Sequence, residues 1–66
     1  MKVIQTFPNG TTIEFGDDSS GSQVHKVCSP GQKTWRYAEP YHVAITYAAQ
    51  YELLLEKEGK NSSFNG

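Results

Sequence analysis

A chain of 66 residues with a single cysteine has room for one domain and one thin core, rarely worth more than about 3–5 kcal/mol of net stability. It cannot close an internal disulfide, so association with another chain is the remaining common source of added stability. A formal net charge of −1 excludes both the strongly basic footprint of a general nucleic-acid binder and the acidity of a nucleic-acid mimic.

Residues 2–15 carry the clearest local signal, with Phe7-Pro8-Asn9-Gly10 set between two runs rich in β-branched and aromatic residues. Proline fixes the first central turn position, asparagine tolerates the second, and glycine supplies the left-handed residue that closes a bulged type I turn. The turn sets a register in which Phe7 pairs with Thr11, Gln5 with Ile13 and Val3 with Phe15. Val3, Phe7, Ile13 and Phe15 then share the core face, while Lys2, Thr6, Thr12 and Glu14 share the other.

Gly16-Asp17-Asp18-Ser19-Ser20-Gly21-Ser22 has no apolar residue and reads as a mobile loop. Residues 23–28 and 33–37 read as two further strands joined by Ser29-Pro30-Gly31-Gln32, where Pro-Gly fits the centre of a type II turn. Direct pairing would turn Val24, Cys28, Trp35 and Tyr37 to the core and His25, Thr34 and Arg36 away from it. Type II turns suit tight hairpins poorly, which leaves room for a wider connection.

Glu39-Pro40 opens a helix, with proline at the first helical position and the glutamate at the positive end of the dipole. Gly59, between Lys57 and Lys60, is the expected stop, and residues 61–66 form a flexible tail. The expected fold class is α+β: a small antiparallel sheet of three or four strands, built from two hairpins, packed against one C-terminal helix. It makes one domain over residues 1–60.

Residues 40–51 contain no formally charged side chain, although a helix with one wet side normally carries charge there. Val43, Ala44, Tyr47, Ala48, Tyr51, Leu54 and Leu55 form one apolar face. The opposite stripe, His42, Ile45, Thr46, Ala49 and Leu53, is also nearly apolar, and a chain this short has few residues left to cover it. That stripe is the expected protein-interaction site.

No stretch carries a catalytic or cofactor motif. His25 and Cys28 are three apart and so point to opposite faces of a strand, which argues against a zinc site, and no histidine is placed to activate Cys28 as a nucleophile. Asn9-Gly10-Thr11 and Asn61-Ser62-Ser63 match the glycosylation acceptor pattern, but that chemistry requires secretion. The single thiol, the absence of an apolar run after Met1-Lys2-Val3-Ile4, and the lack of a bilayer-length segment all point to a cytoplasmic protein with no membrane partner. The glycines are scattered through turns and form no phosphate-binding loop.

The expected function is therefore non-enzymatic: binding or occlusion of a protein partner, or assembly as a homodimer, with no cofactor. Compact chains without a catalytic motif are common among phage and mobile-element accessory proteins that modify or inhibit host machinery, an expectation that rests on size alone. The alternative is a nucleic-acid-binding module using the hairpin over residues 23–37, with Lys26, Lys33 and Arg36 on phosphate and Trp35 or Tyr37 stacking on bases. Its requirement is that the aromatic rings stand outside the core.

Overall fold

The computed structural model is a four-stranded antiparallel sheet in the order β1-β2-β3-β4, with one helix across one of its faces. The strands are β1 (Lys2–Thr6), β2 (Thr12–Asp17), β3 (Gln23–Cys28) and β4 (Arg36–Ala38), and the helix is α1 (Tyr41–Asn65). The small α+β fold read from the sequence is thus the fold adopted. Residues 1–58 are the ones described in full, and the expected stop at Gly59 and tail 61–66 lie outside them.

The first hairpin closes as its turn chemistry requires. The Gly10 amide donates to the Phe7 carbonyl at 3.0 Å and the Phe7 amide to the Thr11 carbonyl at 2.8 Å, with Gly10 at a φ of 101°. These are the bonds of a type I turn followed by a left-handed bulge residue. Gln5 faces Ile13 as expected, but Ile4 is then an extra residue, so that Val3 faces Glu14 and Lys2 faces Phe15. A bulge on an edge strand disturbs only one ladder and blunts the edge against other chains. Its consequence is a correction: Val3 leaves the expected core face and is 50% exposed.

The second hairpin also pairs directly, His25 with Ala38, Lys26 with Tyr37 and Val27 with Arg36, but its faces are reversed from the expected ones. Val27 packs with Ile13 under the helix, so Val24, Lys26 and Cys28 point to the other side, and Trp35 and Tyr37 go with them; Val24 is nonetheless buried there, as expected, although away from the helix. The connection is wider than a tight turn and β4 begins only at Arg36. The Gln32 amide bonds the Ser29 carbonyl at 3.0 Å, yet Gly31 is not among the positive-φ glycines, which rules out the expected type II turn.

Gly16 and Asp17, expected in a loop, instead extend β2, where Gly16 pairs with Val24 and Asp17 with Gln23. The remaining loop is ordered around Asp18. Its carboxylate accepts from the Ser20 hydroxyl at 2.7 Å and from the Ser20 and Ser22 amides at 2.9 Å each. The Ser20 hydroxyl and these amides hold Asp18 below its ordinary carboxylate value.

The core is Ile13, Val27, Ala38, Ala44 and Ala48, flanked by Phe7, Val43, Ile45, Tyr47 and Tyr51. Ala44 and Ala48 are one helical turn apart and fully buried. Two methyl side chains on one line let the helix lie close to the sheet, while Tyr47 and Tyr51 fill the adjoining side. The helix begins one residue later than expected: the Pro40 carbonyl accepts from the Val43 and Ala44 amides, which makes Pro40 the N-cap and Tyr41 the first helical residue.

Candidate interaction surfaces

The outward side of α1 is where the sequence places the candidate site. His42, Thr46, Ala49 and Leu53 are all exposed, and Leu53 stands 58% open. They recur at intervals of four, three and four residues and so form a single stripe. Thr46 turns its hydroxyl back onto the His42 carbonyl, donating at 2.8 Å. Ile45, the fifth expected member, lies at the stripe's margin, half-buried against the core. Leu54, expected in the core, adds a second open leucine next to Leu53.

Glu52, one turn after Ala48 and in line with Ala44 and Ala48, is buried, although no charged member of α1 was expected in the core. Its carboxylate accepts from the Asn9 amide at 3.0 Å and the Thr11 amide at 3.4 Å, which ties α1 to the β1–β2 turn. Burial pushes the carboxyl upward, but the Asn9 and Thr11 groups outweigh it and leave it below its ordinary value. Thr11, fully buried, completes the junction with a hydroxyl contact to Ser29 at 3.2 Å.

His25 has a similar structural task at the other end. Expected to face outward, it is buried under the helix start, its Nδ1 lying 3.2 Å from the Ala38 carbonyl and 2.9 Å from that of Glu39. Both neighbours are acceptors, so Nδ1 carries the proton. The ring packs against Phe15 and Tyr41, and the Tyr41 hydroxyl reaches Gln5 across the sheet. His25 and Cys28 thus stand on opposite faces of β3.

The second surface is the sheet face turned away from α1. One row runs across all four strands as Val3, Glu14, Lys26 and Tyr37. Trp35 and Tyr37 are 50% and 51% exposed and joined by an indole-to-hydroxyl hydrogen bond of 2.7 Å. The Lys26 ammonium sits 4.0 Å over the Trp35 ring, a cation–π contact. Glu14 accepts from the Cys28 thiol at 3.6 Å, and burial pushes that thiol above its ordinary value, with Lys26 opposing and Glu14 reinforcing the shift. Met1 lies over Gly16, where an added Cβ would meet it at 2.9 Å. A cleft of about 510 Å³ opens between Met1, Asp17, Asp18, Ser19, Lys26 and Tyr37.

The residues of the alternative nucleic-acid site are divided by this arrangement. Lys26 and Trp35 meet on the open sheet face, whereas Arg36 points to the helix side, its guanidinium 5.2 Å from the Tyr47 ring centre. Lys33 is exposed in the connection between β3 and β4.

Among the described residues, no helix is long and apolar enough to cross a membrane. No protein-family model matches the chain, no curated protein matches it, and no solved structure matches its fold.

Proposed function

We propose that this protein acts by binding another protein through the outward stripe of α1, His42, Thr46, Ala49 and Leu53, with Ile45 at its edge. The observation that carries the reading is Leu53, 58% exposed on a helix face that has no formal charge over its first three turns. Thr46 and Ala49 are small and let a partner backbone approach closely, and Leu53 with Leu54 supplies apolar area. The mechanism is occlusion or assembly with no catalytic step, and a role as an accessory inhibitor of larger machinery fits the size. The lone unpaired thiol fits a reducing, cytoplasmic setting.

The test is a photo-crosslinking side chain installed at Ala49 in cells that express the protein, with Gln32 as the control position. A discrete adduct from Ala49, absent from Gln32 and lost with Leu53→Asp, is the expected result. Equal labelling from both positions, or adducts indifferent to Leu53→Asp, would count against the stripe.

The exposure of Trp35 and Tyr37 beside Lys26 favours a second reading, single-stranded nucleic acid stacked on the open sheet face. Charge opposes it, since Glu14 stands in the middle of that face and Arg36 is on the other side. Titrating a mixed-sequence oligonucleotide against Trp35 emission at low and high salt tests it, because phosphate-driven binding weakens steeply with salt.

A further inference from the structure

The open face of the sheet carries a pattern that the helix stripe does not explain. Read from β1 to β4, its central row is Val3, Glu14, Lys26, Tyr37: apolar, acid, base, apolar. Reversed, it presents apolar, base, acid, apolar, so the row is complementary to itself turned round. We infer that a second copy of this chain docks on this face, about a twofold axis that runs parallel to the strands between β2 and β3.

That axis sets β1 of one copy over β4 of the other and β2 over β3. Glu14 then faces Lys26 of the second copy, Lys26 faces its Glu14, and each Val3 faces a Tyr37. Within one chain Glu14 accepts from the Cys28 thiol at 3.6 Å and Lys26 lies over the Trp35 ring, and each exchanges that contact for the stronger charge pair across the interface. Face-to-face sheets pack in this way about 10 Å apart with strands within about 30° of parallel. The charge pairs fix the register, and the aromatic and aliphatic side chains supply the attraction.

Area places the dimer at the modest end of specific interfaces. The outer strand axes of the sheet lie about 14 Å apart at ~4.8 Å spacing, and β1 to β3 extend about 17–20 Å along the strands, while β4 contributes three residues. Trp35 and Met1, both half-exposed, enlarge the contact toward the roughly 600 Å² per partner at which specific association begins. A dissociation constant of about 1–100 μM is the expectation. The dimer would leave both α1 stripes on its outer sides, free for the partner proposed above, and it does not depend on that partner.

The experiment is sedimentation equilibrium of the purified chain from about 5 μM to 1 mM, with circular dichroism to confirm folding. Glu14→Lys alone sets lysine against lysine, and Lys26→Glu alone sets glutamate against glutamate. Each change turns two attractive contacts repulsive and should weaken dimerisation at least about 100-fold. Mixed together, these two chains restore both contacts and should form a heterodimer. A chain carrying both changes should dimerise by itself.

A wild-type chain that stays monomeric to 1 mM overturns the inference, whether or not it quenches Trp35 emission on binding an oligonucleotide. So does a dimer that survives both single charge reversals, or one abolished by Leu53→Asp, which would assign the interface to α1. Failure of the mixed variants to associate, with both folded and wild type dimeric, overturns it as well.

Discussion

Replacing Ile13 with valine removes one methylene from a side chain with no solvent exposure, at the centre of the only described core cluster. Transfer of a methylene accounts for about 0.8 kcal/mol, and incomplete collapse around the gap brings Ile→Val changes at buried sites to roughly 0.5–1.5 kcal/mol. Against a net stability of about 3–5 kcal/mol for a core of this size, about 1 kcal/mol is a large fraction. In a domain of 60–100 residues it corresponds to a fall in Tm of about 4–8 °C. Val3→Thr is the paired control: it keeps the β-branch and swaps a methyl for a hydroxyl at a half-exposed site. With Ile4 bulged and Val3 opposite Glu14, it should stay within about 0.5 kcal/mol of wild type. Were Val3 opposite Phe15 in the core, burial of that hydroxyl without a partner would cost about 1–3 kcal/mol. Thermal and urea unfolding followed at 222 nm, at one fixed protein concentration, separates the two. Equal losses from Ile13→Val and Val3→Thr would refute the bulged register and the core built on it.

Further outcomes follow from the same geometry. Glu52 is held below its ordinary value of 4.5, so its stabilising effect is complete above that pH and fades as the pH falls through its lower folded value; the gap in urea midpoint between wild type and Glu52→Gln should therefore be wider at pH 7 than at pH 3. Gly10→Ala combines a φ of 101° with a Cβ 2.9 Å from a Pro30 carbon, whereas Gly21, at a φ of 86°, has open space around it. Left-handed backbone alone costs an L-residue about 1–2 kcal/mol, so unfolding should show Gly10→Ala to be the more damaging of the two. Cys28 ionises above the ordinary thiol value and is half-buried, so its reaction with a disulfide reagent at pH 8 should be slower than that of a free thiol and should accelerate in urea.

The parts of the fold that were legible in the sequence are those whose cause is local. Pro8, Asn9 and Gly10 dictate a turn whatever surrounds them, and the turn alone fixed Gln5 opposite Ile13. The unmet expectation began at the next residue, Ile4, because a bulge on an edge strand leaves no mark in an alternating run. The outward stripe of α1 was legible because helical periodicity separates His42, Thr46, Ala49 and Leu53 from Ala44 and Ala48 without reference to the sheet.

The facing of β3 depended on a competition that apolar counting decides wrongly. Val24 and Cys28 outnumber Val27, so a tally turns the strand over, but Lys26 shares their face and Arg36 lies on the side of Val27 and Ala38. A short strand can put only one parity inward, and each parity here carries a basic residue. The difference is that Arg36, at the sheet's edge, can lay its guanidinium over Tyr47 while remaining exposed, whereas Lys26 sits in mid-strand, where turning inward would bury its ammonium. Histidine at position 25 completes the choice, since the Ala38 and Glu39 carbonyls occupy its Nδ1. Glu52 follows the same logic. On the helix it lies one turn after Ala48, in line with the core, a place denied to a carboxylate unless amide donors await it. The bulged turn at Asn9 and Thr11 leaves two such amides without strand partners, and buried amides must be paired. The acid at position 52 and the turn forty residues earlier are thus one feature, and it becomes visible only when the helix and the hairpin are brought together.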